Sequence, residues 1–259
     1  MCATDQGAAD LDNRRRPRNE SLYRELSTTD RSAFDTMTTV NDEIRALCQE
    51  MQCMARRVVA SDLVLGPGGN ISARWNDWMI ITASGYSFET LTEEHFAGID
   101  IVSGRQVFGH LKPSSETPTH LACYRNRPDI RFVLHTHPPY TTAVGTTLGE
   151  IPPMVAEFPV IVPRLPVLGY VTPTTTEMAN AVVECLRDAD CVVLGNHGMV
   201  AVGETLEDAY NRTLVTEESA RIYVYSRIVG EPKPMTPEQI ERLNAALSAR
   251  EEVGGVATR

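Results

Sequence analysis

From Val40 onward, apolar residues recur every three or four positions at Ile44, Leu47, Met51, Met54 and Val58, which is one face of an amphipathic helix. Residues 1–36 show no such period and mix Arg14, Arg15 and Arg16 with scattered acids. The pattern therefore predicts a mobile polar tail ahead of a domain at 37–230. The first helix gives way to the glycine-rich turn "LGPGGNIS", after which "WMIIT" (78–82), "GIDI" (98–101) and "RQVF" (105–108) read as short strands. A second helix is expected from Thr117-Pro118, with a hydroxyl N-cap before a proline at the first helical position. Glu116 then stands just outside it.

"RFVLHTH" (131–137), "FPVIV" (158–162) and "CVVLG" (191–195) read as three more strands. "TTTEMANAVVECLRD" (174–188) carries a capping box from Thr174 to Glu177 and a helical stripe through Met178, Val182, Cys185 and Leu186. After "NHGMVAVG" a long helix is expected over 204–229, and "TPEQIERLNAALSAR" supplies a capped helix within a C-terminal segment, 231–259. No internal repeat interrupts this order, so 259 residues are read as one large α/β domain.

Charge narrows the partners. A formal net charge of -10 argues against nucleic acid, whose phosphate backbone selects basic patches. A small anion remains possible, because backbone N–H groups can form a positive pocket in an acidic chain. No apolar run approaches the roughly 20 residues of a membrane span. The six cysteines, at 2, 48, 53, 123, 185 and 191, form no CxxC pair, and the N-terminus lacks the apolar region of a signal peptide. Reduced thiols in the cytoplasm are the expectation.

His135 and His137 stand two residues apart in a strand, so their rings project to the same side, as adjacent metal ligands would. Alone, the pair equally suits a polar strand face. His197 follows a strand inside "GNHGM", where the flanking glycines allow a sharp turn, and Glu116 lies in "KPSSETPTH" between a proline turn and a helix start. Taken singly, these are a loop histidine and a charge suited to a helix N-terminus. Their spacing matches no short zinc framework, so the fold would have to assemble them. Three imidazoles and a carboxylate suit Zn²⁺ and also accept Mn²⁺, Fe²⁺ or Co²⁺. His95, His110 and His120 lack a comparable setting and are assigned to packing. Three small polar stretches, "GPGGNIS" (66–72), "TASGY" (82–86) and "PSS" (113–115), could surround an oxyanion with neutral donors.

The order "GNIS", "TASG", "KPSSE", "HTH", "NHG" resembles the class II aldolase and adducin N-terminal domain family over residues 42–230. The resemblance implies a three-layer α/β/α fold around a mainly antiparallel sheet, and a homotetramer with sites at subunit boundaries. It implies that His135, His137 and His197 hold the metal throughout, with Glu116 as a fourth ligand that moves to transfer protons. Asn70, Ser84, Gly85, Ser114 and Ser115 would line a phosphate pocket. The implied reaction cleaves a ketose 1-phosphate to dihydroxyacetone phosphate and an aldehyde through a metal-stabilised enediolate.

Within that family the aldolases resemble "SSE" and the 4-epimerases "SSD"; this chain has Glu116, although its "TPTH" resembles the epimerase continuation. The tyrosine that assists the aldehyde side in fuculose phosphate aldolases has no counterpart in "IPPMVAEFPV", which leaves Tyr140, Tyr170, Tyr223 and Tyr225 as substitutes. Some relatives are decarboxylases of hydroxylated aromatic or keto acids on the same metal site, and their small-residue loops would hold a carboxylate. That activity is the alternative. A non-catalytic, adducin-like module is disfavoured because all four ligand positions keep coordinating side chains.

Overall fold

The computed structural model describes residues 28–254. Its strands are β1 (Asn70–Trp75), β2 (Trp78–Thr82), β3 (Phe96–Asp100), β4 (Gln106–Phe108), β5 (Phe132–Thr136), β6 (Val167–Leu168), β7 (Cys191–Leu194) and β8 (Gly198–Gly203). Its helices are α1 (Thr28–Ala60), α2 (Thr117–Asn126), α3 (Pro139–Leu148), α4 (Glu157–Ile161), α5 (Thr176–Cys185), α6 (Leu206–Val229) and α7 (Pro237–Gly254). The described residues divide after Glu43 into two units, and the second carries the whole sheet. Within it, the sheet and its flanking helices form a single α/β domain.

The eight strands run in the order β4-β3-β2-β1-β5-β8-β7-β6. Pairing is antiparallel everywhere except between β6 and β7, so the expected mainly antiparallel sheet is present. Both faces are covered, which is why β2, β5 and β7 are nearly continuous apolar runs rather than alternating ones. On one face Met79, Ile81, Val133, Val192 and Val202 pack with Leu121 and Tyr124 of α2 and Met178 and Val182 of α5. On the other, α3 and α6 pack together and against β5, β7 and β8. The result is three layers, α/β/α, each fully buried aliphatic side chain contributing roughly 1.5–3 kcal/mol relative to exposure.

Several local expectations change. "FPVIV" is the helix α4, not a strand, because Pro159 cannot donate to a ladder but is tolerated in a helix's first turn. The helix expected from about Val40 begins at Thr28; residues 1–27 of the expected tail lie outside the described residues. The N-cap of α5 is Thr175, which accepts from Met178 N–H, because Thr174 takes a positive φ of 67° one residue before the turn. Glu116 is itself the N-cap of α2, with Thr117 the first helical residue. Three strands, β1, β6 and β8, and the helix α3 had no sequence forecast. Among the described residues, no helix is long and apolar enough to cross a membrane.

Candidate metal centre

β5 carries His135 on its last buried turn of pleat, and His137 follows just beyond the strand. β1 lies beside β5 with Asn70 opposite His135, and β8 lies on its other side. β7 and β8 are joined by the three residues Gly195, Asn196 and His197, which set the third imidazole at the tip of a hairpin. The left-handed residue in that turn is Asn196, φ 57°, rather than either glycine. Gly198 serves a different need: a Cβ there would collide with the Thr136 carbonyl and the His137 ring. Gly68 is small for the same reason, since its Cβ would stand 2.8 Å from His137 Nδ1.

These elements bring the four predicted ligands together. His135 Nε2 is 2.9 Å from His137 Nε2 and 3.1 Å from Glu116 Oε2. His197 Nε2 is 3.2 Å from Glu116 Oε1. His135 Nδ1 lies 2.9 Å from the Met199 carbonyl oxygen, which can only accept, so Nδ1 bears the proton and Nε2 presents its lone pair to the cluster. This backbone contact has no local sequence signature. Asn70 Nδ2 donates to Glu116 Oε2 at 3.2 Å, a second role that its placement in the pocket did not suggest.

Electrostatics complete the donor set. Burial pushes the His135 imidazole down to about 4 and lowers that of His137, so both are neutral at pH 7. Burial opposes the charge of Glu116, but His135, His197 and Asn70 outweigh it and hold the carboxyl well below the usual carboxylate range. An anionic carboxylate and unprotonated ring nitrogens are the states that bind a divalent cation. Three imidazole nitrogens lie within 4.8 Å of one another, and the residues present suit the metal implied by the sequence.

A cleft of about 140 Å³ opens on this cluster, lined by Gly68, Gly69, Asn70, Ser84, Gly85, Ser114, Ser115, Glu116 and the three histidines, with Pro67 and Ala83. All five predicted pocket residues are among them. The two serine stretches are tied side by side: Ser84 N–H donates to Lys112 O at 2.9 Å and Ser114 N–H to Thr82 O at 3.0 Å. Among the described residues, no lysine, arginine or tyrosine lines the cleft. Tyr140 and Tyr225 instead pair with each other, hydroxyl to hydroxyl at 3.0 Å.

His95 and His120 make their hydrogen bonds outside the cluster. His95 Nδ1 accepts from Thr92 N–H at 3.0 Å and closes a short helical turn. His120 is fully buried, and its Nδ1 is 2.6 Å from Ser72 Oγ, which is 2.9 Å from the Tyr124 hydroxyl.

The chain is similar to known proteins of one family. The model of the class II aldolase and adducin N-terminal domain matches residues 49–224. The 5-deoxy-D-ribulose 1-phosphate aldolase of Bacillus thuringiensis serovar kurstaki is 30% identical over 197 residues, covering 75% of this chain and 92% of that protein. The L-fuculose phosphate aldolase of Methanococcus maripaludis is 35% identical over 159 residues, 61% of this chain and 86% of its own. A solved L-fuculose 1-phosphate aldolase superposes with a TM-score of 0.70 at 30% identity, over 77% of this chain and 95% of that one.

Proposed function

Because the chain belongs to the class II aldolase and adducin N-terminal domain family, we propose that it is a divalent-metal-dependent aldolase that cleaves a ketose 1-phosphate to dihydroxyacetone phosphate and an aldehyde. The observation that carries this reading is the convergence of His135, His137, His197 and Glu116 at the floor of a small cleft walled by serine and glycine. Those four residues would hold Zn²⁺, with Mn²⁺, Fe²⁺ or Co²⁺ as substitutes. The bound ion would supply Lewis-acid stabilisation of the negative charge that develops on substrate oxygen as the carbon bond breaks.

The protein's own residues supply the rest. Ser84, Gly85, Ser114 and Ser115 orient the phosphate with neutral donors, next to the N-terminus of α2, whose dipole favours an anion. Asn70 steadies the Glu116 carboxylate. Glu116, anionic at rest, accepts the proton released during cleavage and returns one to the three-carbon product.

The same neutral serine and glycine lining would also hold a carboxylate, which supports one further reading, a decarboxylase whose substrate carboxylate replaces the phosphate. A panel separates the two. Zinc-loaded protein with five- and six-carbon ketose 1-phosphates is expected to form dihydroxyacetone phosphate, to stop when the metal is chelated, and to resume on metal addition. Release of CO₂ from hydroxylated aromatic or keto acids with no cleavage of the ketoses would select the alternative.

A homotetramer is proposed as the working assembly, supported by the exposed Tyr225, Ile228 and Val229 at the end of α6, apolar surface that a neighbouring subunit would cover. A cytoplasmic location is proposed on the unpaired state of Cys48, Cys53, Cys123, Cys185 and Cys191 among the described residues.

A further inference from the structure

We infer that Glu217 is a positioning residue for His137, an inference that rests on reading His137 as a metal ligand. Glu217 belongs to α6 and is 5% exposed. Both of its oxygens are used at the start of α3. Oε1 accepts from Tyr140 N–H at 3.0 Å, and Oε2 accepts from Thr141 N–H at 2.7 Å and from the Thr141 hydroxyl at 2.8 Å. The N-cap of α3 is Pro138, which has no side-chain acceptor, and Pro139 has no N–H. Tyr140 and Thr141 therefore carry the first free amides of the helix, and Glu217 takes both. A carboxylate from another helix does here what a serine or aspartate N-cap does elsewhere.

His137 stands directly before that turn. Its N–H donates to Leu63 O at 2.9 Å, and its ring passes so close to Gly68 that no side chain fits there. Only His137, Pro138 and Pro139 separate the end of β5 from Tyr140. Each proline fixes its own φ, and Pro138 restricts His137 to extended backbone. With so few free torsions, the orientation of the first turn of α3 is passed back to the His137 ring. Glu217 sets that orientation from the buried side of the helix.

The test compares E217Q with S219A, using Co²⁺ alone as the probe. The amide of E217Q keeps one acceptor oxygen and aims an N–H₂ group at donors. Ser219 lies on the same helix, accepts from Met154 N–H at 2.8 Å and donates to Pro152 O at 2.7 Å, so S219A removes two hydrogen bonds that lead elsewhere. E217Q is expected to retain its far-UV circular dichroism and bind Co²⁺ about tenfold more weakly or worse, the usual scale for losing a group that orients a ligand. In metal-free protein it should also lose the nuclear Overhauser contact between the rings of His135 and His137, whose centroids are 4.8 Å apart. S219A should melt at a lower temperature with wild-type Co²⁺ affinity and ring contact.

Wild-type affinity and ring contact in E217Q, or equal losses in S219A, would overturn the inference. If E217Q does not fold, T141A decides, since it removes one of the three bonds: weaker Co²⁺ binding supports the role and wild-type affinity overturns it. If the wild-type protein itself binds no Co²⁺, the metal reading falls, while the ring contact in the variants still decides what Glu217 does.

Discussion

His137→Ala is expected to bind no stoichiometric metal and to lose at least about 10³-fold in turnover, because only two imidazoles would remain to hold the ion once Glu116 turns to proton transfer, and the Lewis-acid stabilisation is lost with it. The fold should survive the change. His137 lies beyond the end of β5 and is half-buried at the cleft, so its removal opens space beside Gly68 rather than a void in the core. Metal content after dialysis, read beside circular dichroism and turnover, separates loss of the ligand from loss of structure. A folded variant that keeps one metal per chain and normal turnover would remove His137 from the ligand set.

Glu116→Gln should divide binding from proton transfer. The three imidazoles remain, with His135 still oriented by the Met199 carbonyl, so most of the metal should stay bound at saturating Zn²⁺. The amide cannot take up a proton, and turnover should fall by about 10²–10⁴-fold, the range that a positioned acid–base group contributes. The carboxyl of the native residue is held well below its ordinary range, against burial, by His135, His197 and Asn70. The native protein thus starts with the base form in place, and the glutamine has no equivalent at any pH. Metal retention together with normal turnover would show that another group moves the proton.

The four candidate ligands are legible in the sequence because each sits at a strand end or helix start that local pattern marks. "FVLHT" is apolar enough to announce β5, which carries His135, and His137 follows immediately beyond its end. The pocket stretches were legible as glycine and serine clusters in a recognisable order. Other features depend on contacts that no local pattern encodes. β8 has no clear local signal because "GMVAVG" is strung between glycines that allow close approach to β5 and to α6. The helix α3 was hidden by two prolines that look like a stop but serve as its N-cap and first residue. Glu217 is one of several acids in a long helix, and its partners are Tyr140 and Thr141, more than 70 residues away. The Met199 carbonyl that orients His135 is backbone, and carries no side-chain signature at all.

Hydrogen exchange on dihydroxyacetone phosphate tests the central claim without knowledge of the aldehyde. Protein loaded with one Zn²⁺ per chain is incubated with dihydroxyacetone phosphate in D₂O, and the carbon-bound protons beside the free hydroxyl are followed by NMR. One of the two is expected to be replaced stereospecifically by deuterium, with chelation stopping the exchange and Zn²⁺ restoring it. No exchange in protein confirmed to hold its metal would contradict the aldolase reading and direct attention to carboxylated substrates.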